Sequence, residues 1–310
     1  MKVHPDGRRL GKLPPKHDYR TLRLSRYLTD QLPAPPPKID HSSLVQNWRM
    51  LLNDQLGDCG PAGAAHQDMS WAGYAGRSYA VTDAQVKAFY FGITGGADTG
   101  VYLLDMANYW RKHQLGNDTM VEAFVSINPN LTEAKLAIQL FGSAGVGLSL
   151  PDVNTFGPWL GDYGPPNPYN GHYVCLVGYD DARKMFTAIT WGEAVDMSYD
   201  FFLKYCDEAY AFLNDLSLNP GTNVSPEGFN LAQLQDDLNH LGDPVTPPDQ
   251  PPPPPEPPPG PGCLGSIVGA LTVATLLYQS MHPHTTVATA IKHAVGIAEQ
   301  VAQALPPGWP

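Results

Sequence analysis

The chain of 310 residues carries 19 Lys and Arg against 30 Asp and Glu, a net charge of −11, and 43% of it is hydrophobic. That is enough apolar sequence for a sizeable core, and the 16% of charged residues excludes a coiled coil and charge-driven disorder. The acidic balance argues against a nucleic-acid partner, which needs a basic surface to neutralise phosphates. Charge is unevenly spread: residues 1–28 hold eight Lys and Arg and two Asp, a net of +6, leaving −17 for the rest. This reads as a solvated basic arm docked on an acidic body. The cysteines Cys59, Cys175, Cys206 and Cys263 have no paired spacing, so neither a zinc site nor a disulfide framework is expected, and no cofactor is called for. The first residues lack the apolar stretch of a secretory signal, which makes cytoplasmic synthesis the default.

In chain order, apolar spacing predicts helices over Val81–Phe91 and Val101–Gln114, and a third over Leu131–Phe141 with Thr132 as its cap. Short apolar runs bounded by Gly, Pro or Asp predict strands over Val146–Leu150, Tyr173–Gly178 and Met185–Trp191. Phe201–Leu213 reads as a helix with Cys206 in its core face. Early helices followed by late strands imply an α+β domain of two lobes spanning residues 1–242. Twelve of the twenty residues of Asp243–Gly262 are proline, which predicts an extended polyproline linker. Beyond it, 263–310 forms a tail. Cys263–Met281 has no charged residue and Thr285–Leu305 is amphipathic, so a helical hairpin is expected, suited to a membrane, to self-association or to a particle.

The chemistry concentrates in Leu51–Trp71. A Gly-Asp-Cys-Gly-Pro turn (57–61) runs into small residues at helical spacing. Pro61 suits a first helical turn, where its missing N–H is not needed. Cys59 is therefore expected at a helix N-terminus, whose partial positive charge favours thiolate over thiol. Ala62, Gly63 and Ala65 would let that helix approach a neighbour closely. Gly171–Asp180 supplies His172 at the start of a buried strand, where an imidazole can be held beside a cleft. His66, two turns along the helix from Cys59, reads as a structural histidine, and Cys175 as a core residue alternating with His172.

These motifs resemble the papain-like cysteine peptidases, in a bacterial branch. Asp54-Gln55-Leu56-Gly57-Asp58-Cys59 is similar to their nucleophile segment, and Asp58–Ala62 is similar also to that of the double-glycine leader peptidases. Gly171-His172 through Gly178-Tyr179 matches the histidine motif of both groups. Leu10–Pro14 with Asp18–Arg20, Pro36–Asp40, Thr99–His113 and Trp191-Gly192 resemble further family segments, so the likeness covers about residues 10–213. It implies a papain-like two-lobed fold and a thiol peptidase acting on peptides or proteins. In that reading Cys59 is the nucleophile, His172 the base, and Gln55 (alternatively Asn53) the oxyanion amide. The family's Asn that orients the imidazole would fall at Ile189, so the adjacent Thr190 is the candidate orienter, and Trp191 shields the pair. About fifty residues precede the nucleophile region, too few for a propeptide-length inhibitory segment. A catalytically weakened domain for binding or assembly, virion-associated or tethered, and a cell-wall amidase are the alternatives.

Overall fold

The computed structural model describes residues 3–26, 34–74, 79, 81–116 and 120–214. The expected linker over 243–262 and the paired helices of 263–305 lie outside the described residues.

Among the described residues, three α-helices follow a short first strand at Lys38–Asp40. α1 (Cys59–Tyr74) is almost entirely buried. α2 (Asp83–Thr94) begins at a capping box, with the Thr82 side chain accepting from the Gln85 N–H and the Gln85 side chain accepting from the Thr82 N–H. It ends at Gly95 in the left-handed conformation, the usual glycine terminator. α3 (Leu103–Trp110) is shorter than the apolar spacing suggested, because the chain tightens at Arg111 and Lys112 N–H turns back to the Tyr109 carbonyl. α4 (Leu131–Phe141) has the expected bounds, but its cap is Asn130, whose side chain accepts from the Glu133 N–H. Thr132 lies inside the first turn.

Among the described residues, seven strands form one antiparallel sheet. They are β1 (Lys38–Asp40), β2 (Val121–Ile127), β3 (Ala144–Ser149), β4 (Gly171–Asp180), β5 (Met185–Thr190), β6 (Glu193–Ser198) and β7 (Cys206–Asn214). The order is β2-β7-β3-β4-β5-β6, with β1 paired to the far end of β4 where β3 has stopped. The helix expected over Phe201–Leu213 is corrected. Only α5 (Tyr199–Tyr205) is helical, capped by Ser198. From Cys206 the backbone is extended, and it is paired on both sides, with β2 and β3. The apolar run Ala209–Leu213 suits a central strand buried on both faces.

β4 separates two cores. Tyr173, Cys175 and Val177 face the cluster built on α1, α2 and α3. Val174 and Leu176 face the cluster of α4, α5, Trp159 and Trp191. Gly63 lets α1 lie against β4, since a Cβ there would come within 2.3 Å of the Tyr173 ring. The Tyr173 hydroxyl donates to Gln67 of α1 (2.6 Å), and Gln67 donates to Ser143 (3.3 Å). This buried chain fixes the height of α1 over the sheet, and with it the position of Cys59.

Candidate active site

Cys59 is the first residue of α1 and is 2% exposed. The turn before it is strained: Arg49, Leu51 and Leu52 all have positive φ (60°, 54° and 70°), a conformation that costs non-glycine residues on the order of 1 kcal/mol each. Arg49 is held there by a bridge to Gly192. The Gly192 φ is +77°, and a Cβ on it would strike the Arg49 backbone at 2.8 Å. His66, buried on α1, meets the Arg49 carbonyl through Nε2 (3.0 Å) from the other side. Its role is the structural one.

His172 lies at the start of β4 and is fully buried. Its Nε2 stands 2.7 Å from Thr190 Oγ1 at the end of β5. Nδ1 has no hydrogen-bond partner among the described residues. With Nε2–H donating to Thr190, Nδ1 is left as a free acceptor. Trp191 follows at φ 48°, a turn that lays its ring parallel to the imidazole, centroids 4.3 Å apart at 17°. Trp159 closes the other side, 5.7 Å from Trp191 and 6.1 Å from His172. Asp196 of β6 pairs with Arg183 on the surface.

The backbone N–H groups of Tyr173, the residue after His172, and of Gly11 lie near enough to the Cys59 sulfur to favour its thiolate. The nucleophile candidate and the imidazole candidate are thus brought to the same end of β4. Their ionisation differs from the sequence expectation. Burial pushes the Cys59 thiol up to about 12, outweighing the neighbouring N–H groups of Tyr173 and Gly11, and burial alone pushes His172 down to about 3. In this closed arrangement the two are a neutral thiol and a neutral imidazole.

The two amide candidates part company. Asn53 is buried and donates both side-chain hydrogens, to the Leu56 carbonyl (3.2 Å) and to Asp58 Oδ1 (3.2 Å). Gln55 is exposed on the turn. Asp58, directly before α1, was missed as a titrating group in the sequence. It is fully buried, and burial raises its carboxyl to about 8. Its signal was present in the sequence, as a charged residue wedged between a glycine and the cysteine of a helix start.

The N-terminal segment covers the site, and the expectation of a solvated basic arm is corrected for its middle. Leu10, Gly11 and Lys12 are buried. Arg9 N–H donates to the Asn53 carbonyl, Trp191 Nε1 donates to the Arg9 carbonyl, and Arg8 lies 5.2 Å over the Trp191 ring. No cluster of three His, Cys, Asp or Glu side chains suited to a metal occurs among the described residues.

No family model matches the sequence, and no curated protein is a significant match. Solved structures do match. Xylellain, a cysteine protease from Xylella fastidiosa, superposes with a TM-score of 0.54 at 14% identity, over 69% of this chain and 98% of that one. Digestive procathepsin L 3 of Tenebrio molitor larval midgut aligns with 67% of this chain and 76% of that one at 13% identity, with a TM-score of 0.48. The likeness to xylellain shows that the fold is that of the papain-like cysteine proteases.

Proposed function

We propose that the chain is a thiol peptidase working through Cys59 and His172. The observation that carries this reading is the arrangement at the end of β4. A cysteine opening a helix lies beside the backbone of Tyr173, next to His172, and the imidazole is held through Nε2 so that Nδ1 is free. In this reading Nδ1 takes the thiol proton as Sγ attacks a peptide carbonyl, and returns it to the leaving amine; water then releases the acyl group by the same route. Thr190 is a positioning residue that fixes the imidazole plane, and Trp191 keeps water from that hydrogen bond. The developing oxyanion is met by the Cys59 N–H at the start of α1 and by the side-chain amide of Gln55. Asn53 spends both of its N–H groups on the turn and braces it.

Attack requires the thiol to lose its proton, and the buried neutral pair resists this. The proposed reaction therefore begins when a substrate or water enters and restores a polar surround to the sulfur. No observation among the described residues favours the assembly-domain or amidase alternatives.

The test is hydrolysis of a mixed peptide library by the full chain, with Cys59→Ala and His172→Ala as comparisons. Peptide cleavage that both substitutions reduce by orders of magnitude supports the reading. Cleavage that survives Cys59→Ala would overturn it.

A further inference from the structure

The segment Arg9–Leu13 lies in a channel only one backbone wide. Gly11 and Lys12 N–H both reach the Gly171 carbonyl (3.3 and 3.1 Å), the residue before His172. Val101 N–H donates to the Gly11 carbonyl (2.8 Å), and Leu13 N–H donates to the Val101 carbonyl (2.9 Å). Glycines line the path because nothing larger fits. A Cβ on Gly100 would meet the Gly11 carbonyl at 2.4 Å, and one on Gly171 would meet the Lys12 carbonyl at 2.1 Å. The segment brings the Gly11 backbone close to the Cys59 sulfur, with its N–H turned to the Gly171 carbonyl. It therefore covers the site.

From this channel the Lys12 side chain drops into the interior, and its ammonium end is fully buried. Nζ pairs with Asp207 Oδ2 (2.9 Å) and Glu208 Oε1 (3.2 Å) and donates to the Leu13 carbonyl (3.2 Å). Gly147 makes the room, since a Cβ there would sit 2.4 Å from Lys12 Cε. Ser149 and Tyr210 hold the two carboxyl groups from behind, each donating to one of them. Two acidic side chains thus face one cation, and Glu208 is itself buried.

We infer that this pocket is a specificity subsite for a lysine or arginine side chain of the substrate, and that Lys12 occupies it in a self-occluded form of the protein. The inference deepens the peptidase reading and rests on it for the word substrate. The backbone groups that hold the strap (Asn53 C=O, Val101 N–H, Val101 C=O, Gly171 C=O) are generic and would serve any extended peptide. A peptide that replaces the strap along those groups and reaches Cys59 puts one side chain over Gly147. If that side chain is uncharged, it leaves a buried carboxylate uncompensated, which is strongly unfavourable. A basic one restores the pairing. The selectivity thus follows from the same carboxylates that hold Lys12.

The test uses the full chain with Lys12→Glu, which sets a third carboxylate against Asp207 and Glu208. The readout is the rate at which iodoacetamide labels Cys59, with Cys175 and Cys206 as buried internal controls. We expect Cys59 labelling to rise about a hundredfold or more, since breaking one side of a buried ion pair is costly, while the controls stay slow. Added peptide Arg-Leu-Gly-Lys-Leu-Pro should restore protection. The same peptide with Leu or Glu for its Lys should protect at least about tenfold less well, and Glu208→Gln in the Lys12→Glu chain should erase that preference. Unchanged Cys59 labelling in folded Lys12→Glu protein, or equal protection by all three peptides, would overturn the inference. If Lys12→Glu does not fold, Glu208→Gln in the otherwise unaltered chain decides: faster Cys59 labelling supports the strap, and an unchanged rate refutes it. None of these readouts needs catalysis. A chain that gates Cys59 through Lys12 yet cleaves no peptide would sink the peptidase reading and leave the basic-residue pocket standing.

Discussion

Asp58→Asn should change the pH dependence of stability more than its position beside a helix start suggests. Two effects compete at this carboxyl. The N-terminus of α1 and the Asn53 donor favour the charged form, and a helix N-terminus contributes about 0.3–2 kcal/mol. Full burial opposes them and wins, raising the folded-state value from 3.8 to about 8. A raised value means that the folded protein keeps a proton that the unfolded chain releases above pH 3.8. Stability from this group is therefore whole below pH 4, falls as pH rises toward 8, and is level beyond it. At about 1.4 kcal/mol per unit, the loss between pH 4 and pH 7 is about 4 kcal/mol. Asparagine titrates nowhere in this range. Its Oδ1 can still accept from Asn53, but its amide hydrogens would face the place of Asp58 Oδ2, which has no partner. That costs about 1–2 kcal/mol at every pH. The variant should be the less stable protein at pH 4 and the more stable one at pH 7 by about 2–3 kcal/mol, with the curves crossing near pH 5. Urea unfolding followed by tryptophan fluorescence from pH 4 to 8 measures both curves. Parallel curves, with the variant lower throughout, would show that Asp58 is ionised in the folded protein and that the helix terminus outweighs burial.

Three further outcomes follow from the same geometry. Thr190→Val keeps the side-chain shape but leaves His172 Nε2 buried without its 2.7 Å partner, so stability should fall by about 1–3 kcal/mol in urea titrations; any peptidase activity should fall in kcat more than it changes KM. Gly63→Ala gains about 1 kcal/mol of helix propensity but sets a Cβ 2.3 Å from the Tyr173 ring, and the resulting overpacking of about 1–3 kcal/mol should give a net loss and a lower thermal midpoint. Trp191→Ala removes the ring stacked on His172 and lets water in; because burial holds that imidazole down at about 3, its midpoint should rise toward the ordinary histidine range in an NMR titration, and an unchanged midpoint would mean that Trp159 and the sheet suffice to keep it dry.

What the sequence determined by itself was local. Asp58-Cys59-Gly60-Pro61 announces a helix start because proline and small residues limit the backbone there whatever surrounds it. The helix read over Val81–Phe91, found at Asp83–Thr94, and the apolar run Tyr173–Gly178, found inside β4, are legible for the same reason: their patterns close within a few residues. The identity of Thr190 as the neighbour of His172 was also readable, from its place beside Trp191 in a resembling pattern. Tertiary structure decided the rest. Cys206–Asn214 became a strand because β2 and β3 flank it, and no local preference encodes those partners. The same holds for charge. Lys12, Asp58 and Cys59 have ordinary tendencies in an isolated chain, a solvated ammonium, an ionised carboxylate and a helix-activated thiol. Burial reversed the last two, and the pairing of Lys12 with Asp207 and Glu208 drew the first into the interior, across nearly two hundred residues of sequence. Desolvation depends on everything that encloses a group, so only the folded chain could set it.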